Sequence, residues 1–214
     1  MTGLREQHKA DRTRRILQAA SEMFRDQGYD AVRIEDIAQR AEVSAGTCYN
    51  YFSTKGDILL AIVSMEVEEV VAAGQAVIDA PPETTIDALD RLIRLYYDHS
   101  LHYLSKALWR RAMSLSIAAP ETPFSQRYTA LDAMLARQVS DLIAALQQRG
   151  IVRGDADAAL LGQMIFHDLN QRFVAFVTDE GMPLTDLHKN SLAATQSWAL
   201  MLEPRDAPKA PSRT

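Results

Sequence analysis

The 214-residue chain lacks the features that define several common classes of protein. Its single cysteine, Cys48, excludes a disulfide within the chain. No apolar run reaches the roughly 20 residues that a membrane-spanning helix needs. The nine glycines are scattered and form no phosphate-binding loop. No signal-peptide pattern opens the sequence, so we expect a cytoplasmic protein that folds without disulfides.

The sequence also lacks residue clusters that indicate catalysis or metal binding. It contains no nucleophile elbow and no paired-carboxylate motif, so we expect neither an enzyme nor a cofactor. Of the five histidines, only His99 and His102 are spaced by one helical turn, and no third ligand accompanies them. We therefore expect no metal site. Cys48 is expected to act as a small buried hydrophobe rather than a redox switch.

Charge is distributed unevenly along the chain. The whole chain has a net charge of −5, but residues 1–55 carry nine Lys or Arg against eight Asp or Glu. The remainder is acidic, so we expect it to avoid nucleic acid. Five basic residues fall within the first fifteen positions: Arg5, Lys9, Arg12, Arg14 and Arg15. They form either a solvated terminus or a basic arm, ahead of the first helix, that contacts phosphates.

Two short helices joined by a tight turn are predicted between Gly28 and Lys55. Apolar residues at helical spacing predict the first helix over 34–41. Ser44 can cap the second helix, predicted over 45–51, by accepting a backbone hydrogen bond. Cys48 and Phe52 would then face the core, together with Val43. Such a pair of helices is typical of a device that inserts its second helix into a DNA groove.

The outward face of the second helix suits DNA, because small residues at its front allow close approach and hydroxyl groups can donate to phosphates. Asn50 is expected to read a base edge, and Lys55 to add a cation at the groove edge. The predicted DNA-binding residues are Arg33, Ser44, Ala45, Gly46, Thr47, Tyr49, Asn50, Tyr51 and Lys55.

This first quarter of the chain closely resembles the DNA-binding domain of the TetR family of transcription regulators. The family pattern comprises an Ile-Leu-x-Ala-Ala opening, Gly-Tyr, Ile-Ala, Val-Ser-x-Gly-Thr-x-Tyr-x-Tyr-Phe and Lys. The matching residues are Ile16, Leu17, Ala19, Ala20, Phe24, Gly28, Tyr29, Ile37, Ala38, Val43, Ser44, Gly46, Thr47, Tyr49, Tyr51, Phe52 and Lys55. The agreement runs without a gap, which makes the resemblance specific.

Two residues depart from the family pattern. Glu42 stands where the family often has a turn glycine, and Cys48 where it usually has a larger apolar residue. A left-handed backbone at Glu42 would cost on the order of 1 kcal/mol, which a packed turn can absorb.

Signals for the starts and ends of helices continue to residue 202, and no segment has the pattern of a strand. The predicted helices cover 9–27, 34–41, 45–51, 53–80, 84–103, 105–118, 124–149, 155–178 and 185–202. Ser53 is the predicted cap of the fourth of these helices, and Asp155 that of the eighth. The predicted fold is all-α: a three-helix helix-turn-helix DNA-binding domain with a basic arm (1–55), then a helical effector-binding and dimerisation domain (56–202). Residues 203–214 contain three prolines and are expected to be a disordered tail.

The helix predicted over 156–178 carries too many apolar residues for one stripe, so it needs two buried faces. It is either a centrally buried helix of a monomer or part of a two-fold dimer interface. The resemblance implies a homodimer formed by the last two helices, which would present two recognition helices to a palindromic operator.

The resemblance also implies a small-molecule pocket in the second domain. Aromatic, methionine and polar residues of the kind that line such pockets are Tyr96, His99, Tyr103, Trp109, Met113, Phe124, Tyr128, Phe166, Asn170 and Phe173. Each is equally suited to a packed core. The resemblance further implies that the helix predicted over 53–80 joins the domains, so that effector-driven movement at its far end changes the separation of the recognition helices.

The sequence therefore predicts a ligand-responsive, sequence-specific transcription regulator, most readily a repressor released from its operator by a small molecule. A DNA-binding activator or nucleoid-type protein without an effector is the alternative. An enzyme or carrier that has lost DNA binding ranks last, because the hydroxyl and basic face is present.

Overall fold

The computed structural model describes the backbone of residues 2–204 and the side chains of residues 7–204. This part of the chain is helical and contains no strand, which confirms the all-α prediction. Its helices are α1 (Thr2–Gln27), α2 (Ile34–Arg40), α3 (Ala45–Tyr51), α4 (Lys55–Asp79), α5 (Thr85–His99), α6 (Lys106–Ala118), α7 (Pro123–Gln148), α8 (Ala158–Thr178) and α9 (Leu184–Leu202). From residue 205 onward, the tail predicted to be disordered lies outside the described residues.

The chain divides into two compact units. The first comprises Met1–Val70, Asp98–Ala133 and Val177–Glu180, and the second comprises Val71–Tyr97, Met134–Phe176 and Gly181–Thr214. The predicted functional boundary after residue 55 remains a prediction.

The first three helices form a small bundle within the first unit, in which α2 packs on both α1 and α3. Apolar residues spaced by three or four positions create the shared core, as the sequence pattern predicts. Ile16, Phe24, Ile37 and Cys48 are at most 1% exposed. Val43 is only half-buried, although it was expected on the buried side. The short helices α2 and α3 thus take their stability from tertiary packing.

The turn between α2 and α3 contains a left-handed residue where the family pattern often has glycine. Glu42 has φ 55°, the only positive φ of a non-glycine residue in the described chain. Its N–H donates to the Gln39 carbonyl, and the Val43 N–H donates to the Ala38 carbonyl. These bonds satisfy carbonyls at the end of α2 and hold the strained backbone in place.

Several helices begin at residues other than those predicted. Thr54, not Ser53, caps α4: its Oγ1 accepts from the Asp57 N–H at 3.1 Å, and Asp57 accepts from the Thr54 N–H. Asp157, not Asp155, caps α8 by accepting from the Ala159 N–H at 2.8 Å. In each case an alternative oxygen-bearing residue lies within two positions, so sequence alone does not decide which one makes the bond.

Two helix boundaries differ more strongly from the predictions. α1 begins at Thr2 rather than Lys9, so the predicted basic arm belongs to the first turns of this helix. α5 ends at His99 rather than Tyr103. The segment that follows is held out of helical geometry by two hydrogen bonds. The Trp109 indole donates to the Ser100 carbonyl nine residues before it, and the Ser21 hydroxyl on α1 donates to the Tyr103 carbonyl.

In the second unit, α8 buries one face against its neighbours and leaves apolar residues exposed on another. Ile165, Phe166 and Leu169 are at most 5% exposed, whereas Leu160 and Met164 are 56% and 47% exposed. On α9, Leu200 and Met201 are also exposed. A single chain therefore covers only part of the apolar surface of these two helices.

Gly162 allows α8 to approach α7 closely. A Cβ at this position would lie 2.3 Å from Ser140 Cα and 2.4 Å from Ser140 N, well inside contact distance. The Ser140 hydroxyl crosses the same gap to donate to the Ala159 carbonyl. No helix in the described chain combines the length and apolarity needed to span a bilayer.

Candidate nucleic-acid interface

Ser44 fixes the start of α3, the predicted recognition helix. Its backbone is extended, and its Oγ accepts a hydrogen bond from the Thr47 N–H at 3.0 Å. The two hydroxyl groups of Ser44 and Thr47 also pair at 2.8 Å. This N-cap satisfies one of the free N–H groups of the first turn and defines which residues face outward.

The outward face of α3 has a low profile at its front and an open amide on its surface. Gly46 is exposed, and a Cβ added there would meet only Ser44 Oγ, at 4.0 Å. Asn50 is exposed, and its amide has no hydrogen-bond partner among the described residues. An amide with free donors and an acceptor is the group that pairs with the major-groove edge of adenine. Ala45, Thr47 and Tyr51 are half-buried at the margins of this face.

Glu35 holds two of the predicted DNA-binding residues. The Tyr49 hydroxyl donates to its Oε1 at 2.9 Å, and Arg33 Nε lies 3.4 Å from its Oε2. The backbone N–H of Glu35 and the Tyr49 hydroxyl keep the pKa of this carboxyl below its usual range, so it carries a charge at neutral pH. Tyr49 and Arg33 are therefore positioned side by side. The Tyr49 hydroxyl must release Glu35 to donate to a phosphate, whereas only Nε of the five-donor Arg33 guanidinium is placed against Glu35.

Lys55 lies in a different environment from the one the sequence suggested. Its Nζ donates to the carbonyls of Tyr29 and Asp30, at 2.9 and 3.0 Å, and sits 4.8 Å from the centroid of the Tyr29 ring. Two of its three N–H donors thus have partners within the protein.

Cys48 lies on the inner side of α3 and is fully buried. Burial, reinforced by the charge of Glu35, raises the pKa of its thiol. A protonated, inaccessible thiol reacts slowly, which agrees with its predicted role as a small hydrophobe.

The basic residues near the start of α1 are mostly free of partners in the described structure. Lys9, Arg12 and Arg14 are exposed, whereas Arg15 is held 3.7 Å from both Asp11 and Glu42. The side chain of Arg5 lies outside the described residues. These exposed cations give α1 a positive surface suited to phosphates.

Six predicted effector-site residues fall in the first unit. His99 and Tyr103 lie close together, with ring centroids 5.8 Å apart, and the rings of Phe124 and Tyr128 stack at 6.4 Å. Trp109 is buried, and its indole N–H donates to the Ser100 carbonyl. Met113 is half-buried on α6.

The four predicted effector-site residues of the second unit are packed into its core to different degrees. The Tyr96 hydroxyl donates to Gln138 at 2.7 Å, and Phe173 stacks on Tyr97 with centroids 6.1 Å apart. Phe166 is buried, and Asn170 is half-buried on α8. Their roles in ligand binding stay predictions.

Of the two histidines spaced by one helical turn, His99 already contacts two carboxylates. His99 and His102 stack with centroids 5.2 Å apart, but His99 Nδ1 lies 2.7 Å from Glu66 and its Nε2 lies 3.2 Å from Glu69. The part of the chain that the structure describes contains no group of three His, Cys, Asp or Glu arranged to hold a metal ion.

Two inward-facing carboxylates, Glu66 and Asp132, were not predicted from the sequence. Glu66 is 2% exposed, and burial raises its pKa to about 7 although the His99 hydrogen bond opposes the shift. Burial likewise raises the pKa of Asp132 to about 6. The signal for both was their place in the helical repeat, since Glu66 follows Ile62 by one turn and Asp132 follows Tyr128.

The first unit also contains a solvent-open cleft of about 730 Å³ between α1, α4 and the segment after α5. Tyr103 is the one predicted effector residue that lines it. Its walls are Arg14, Gln18, Ser21, Glu22, Arg25, Met65, Glu69, Leu101, His102 and Tyr103.

A capped, exposed second helix packed across a short first helix defines a helix-turn-helix DNA-binding protein. Residues 16–62 match the family described as "Bacterial regulatory proteins, tetR family". This match confirms, for the N-terminal domain, the resemblance to TetR-family transcriptional regulators that the sequence motifs indicated.

Known proteins similar to this chain are regulators of the same kind. The HTH-type transcriptional activator FasR of Mycolicibacterium smegmatis is 34% identical over 95 residues, 43% of this chain and 42% of that protein. The HTH-type transcriptional repressor KstR of Rhodococcus jostii is 27% identical over 159 residues, 70% of each. The chain thus spans less than half the length of the first relative and about two thirds of the second.

The fold extends beyond the matched N-terminal region. The crystal structure of Thermus thermophilus FadR, a TetR-family transcriptional repressor in complex with lauroyl-CoA, superposes with a TM-score of 0.64. The match covers 94% of this chain and all of that one at 22% identity. At this identity the likeness shows the fold, including the helical second domain.

Proposed function

We propose that this protein regulates transcription by placing α3 in the major groove of a specific operator. The exposed face of α3, with the unpartnered amide of Asn50 behind a front of small residues, is the observation that carries the proposal. Asn50 would read the base sequence. The register of the protein on the DNA would be set by phosphate contacts from Arg33 and from the hydroxyls of Ser44, Thr47, Tyr49 and Tyr51.

We propose that two copies of the chain bind the operator together. The exposed apolar residues of α8 and α9, Leu160, Met164, Leu200 and Met201, support a two-fold interface built from these helices. A two-fold dimer matches a palindrome whose half-sites are about 34 to 36 Å apart, or a multiple of that spacing. One recognition helix of seven residues would bind too weakly alone.

We propose that the protein acts in the cytoplasm as a repressor that a small molecule releases from DNA. Of the two relatives described above, KstR is a repressor and FasR an activator, so the sign of regulation needs its own test. Lauroyl-CoA is a reasonable first probe, because the FadR structure contains it. An effector must bind the DNA-incompetent form more tightly by roughly 1–3 kcal/mol to lower operator affinity about 5- to 150-fold.

Selection of bound sequences from random duplex DNA, with the full chain at physiological salt, tests this function. We expect enrichment of a palindrome. Lauroyl-CoA is then titrated into the complex with that palindrome, and release supports this effector class. Transcription in vitro from a promoter that overlaps the palindrome tests the sign of regulation, since a repressor lowers the transcript level when bound. Binding without release by any ligand in a wider screen would favour an effector-independent DNA-binding protein. No enrichment by ligand-free protein would contradict the proposed function.

A further inference from the structure

Two helices of the first unit, α4 and α6, each place a cation against the turn between α1 and α2. Tyr29 and Asp30 lie in that turn, Lys55 is the first residue of α4, and Arg111 lies on α6. The Lys55 ammonium is 4.8 Å from the centroid of the Tyr29 ring, and the Arg111 guanidinium carbon is 5.0 Å from the same centroid. Both cations are within the range of favourable cation–π interaction.

Polar contacts fix both cations. Lys55 donates to the carbonyls of Tyr29 and Asp30, and Arg111 Nη2 lies 3.3 Å from the Asp30 carboxylate. The Arg111 Nε is buried and has no hydrogen-bond partner in the described structure. The unpaired N–H costs free energy, and the contacts of the guanidinium with the Tyr29 ring and with Asp30 offset that cost.

The geometry leaves Lys55 little capacity for DNA. An ammonium has three donors, two of which are committed to carbonyls, and the Tyr29 ring covers another side. To donate all of its N–H groups to a phosphate, Lys55 would have to break the two hydrogen bonds that link α4 to the turn before α2. Since α2 begins four residues after Asp30, movement of this turn would shift α2, on which α3 packs.

We propose that Lys55 and Arg111 together form a clamp on Tyr29 and Asp30, and that this clamp positions the helix-turn-helix for DNA. Lys55 is then a positioning residue rather than a phosphate contact. Arg111 makes the position of the helix-turn-helix depend on the position of α6. This inference rests on the proposed DNA-binding function.

Salt dependence distinguishes the two roles of Lys55. Each phosphate contact contributes about 0.9 to the slope of log affinity against log salt concentration, so removing one lowers the slope by that amount. We expect Lys55→Gln to weaken binding to the selected palindrome at every salt concentration while leaving the slope unchanged. A slope lowered by about 0.9 would identify a phosphate contact and overturn the inference.

Coupling between the two cations tests the clamp itself. Arg111→Gln is expected to weaken operator binding as well, and the double variant Lys55→Gln/Arg111→Gln should lose less than the product of the two single losses, because both act on one turn. Arg91→Gln is the matched control, since Arg91 is exposed on α5 and has no partner among the described residues. Independent, multiplicative losses would contradict a shared clamp.

Hydrogen exchange in the DNA-free protein separates this inference from the proposed function. Backbone N–H groups at positions 28–33 should exchange faster in Lys55→Gln and Arg111→Gln than in the wild-type protein or the Arg91→Gln control. If the wild-type protein bound no DNA sequence but exchange rose as expected, the function would be wrong and the clamp retained. Unchanged exchange in both clamp variants would overturn the clamp.

Discussion

Single residues in the helix-turn-helix carry its backbone strain and the sequence specificity that we propose for it. Ser44 and Asn50 could be assigned from sequence, because an N-cap and an exposed polar position follow from local spacing. The partners of Tyr49 and Lys55 could not, because Glu35 and the Tyr29 carbonyl are 14 and 26 residues away. A motif identifies such a side chain but not the group that it meets in the folded chain.

Glu42→Gly should stabilise the protein. Relief of the left-handed backbone at φ 55° is worth about 1–2 kcal/mol, and the greater freedom of glycine in the unfolded chain offsets about 0.4–1 kcal/mol of this. We expect the free energy of unfolding to rise by up to about 1 kcal/mol in denaturant titrations. Glu42→Ala keeps the strain and loses the Arg15 ion pair, so equal stabilisation by alanine would contradict this explanation.

Asp132 should make stability depend on pH. Burial raises the pKa of its carboxyl in the folded protein to about 6 from 3.8, so folding favours the protonated form. This contribution is present below pH 4 and is lost as pH rises through 6. The difference in unfolding free energy between Asp132→Asn and the wild type should therefore grow from pH 4 to 7 and then level off. A difference independent of pH would contradict the raised pKa.

At the scale of elements, helix cores were predictable and helix ends less so. The extents of α2 and α3 follow from a short apolar repeat and from Ser44, and both match the predictions to within one residue. The end of α5 was not predicted because side-chain hydrogen bonds from Ser21, 82 residues from its partner, and from Trp109 on the next helix hold the following segment. Local spacing cannot reveal tertiary contacts that override helix propensity.

Close packing of α8 on α7 depends on Gly162. Alanine there would place its Cβ 2.3–2.4 Å from Ser140 backbone atoms, so Gly162→Ala should lower the free energy of unfolding by about 1–3 kcal/mol. The matched control is Gly154→Ala, because a Cβ at Gly154 meets nothing within 4 Å. Chemical denaturation of both variants checks the prediction, and equal effects would show that close approach is not the cause.

For the whole molecule, the sequence predicted the family and fold but could not show how the apolar residues of α8 are divided. The structure separates buried Ile165 and Leu169 from exposed Leu160 and Met164. Excess apolar residues in a helix indicate a second covered face, but the identity of the cover depends on tertiary and quaternary contacts. The exposed set gives the dimer proposal specific residues to test.

Charge on this exposed face should prevent dimerisation. We expect Leu160→Lys/Met164→Lys to be monomeric by light scattering, and the wild type to be a dimer, because each lysine would have to be buried opposite its symmetry mate. Ile117→Lys, a change at an 80% exposed apolar residue of α6, is the control and should remain dimeric. A dimeric double variant would place the interface elsewhere.

We propose that α3 reads DNA sequence through its exposed face. The most direct measurement compares the base preferences of the wild type and Asn50→Ala, obtained by selection from the same random duplex library at the same salt concentration. We predict that the variant loses preference at one base pair in each half-site, by about 1–3 kcal/mol of discrimination, and keeps the rest of the palindrome. An unchanged profile would show that Asn50 does not read the operator and would contradict this account of the recognition helix.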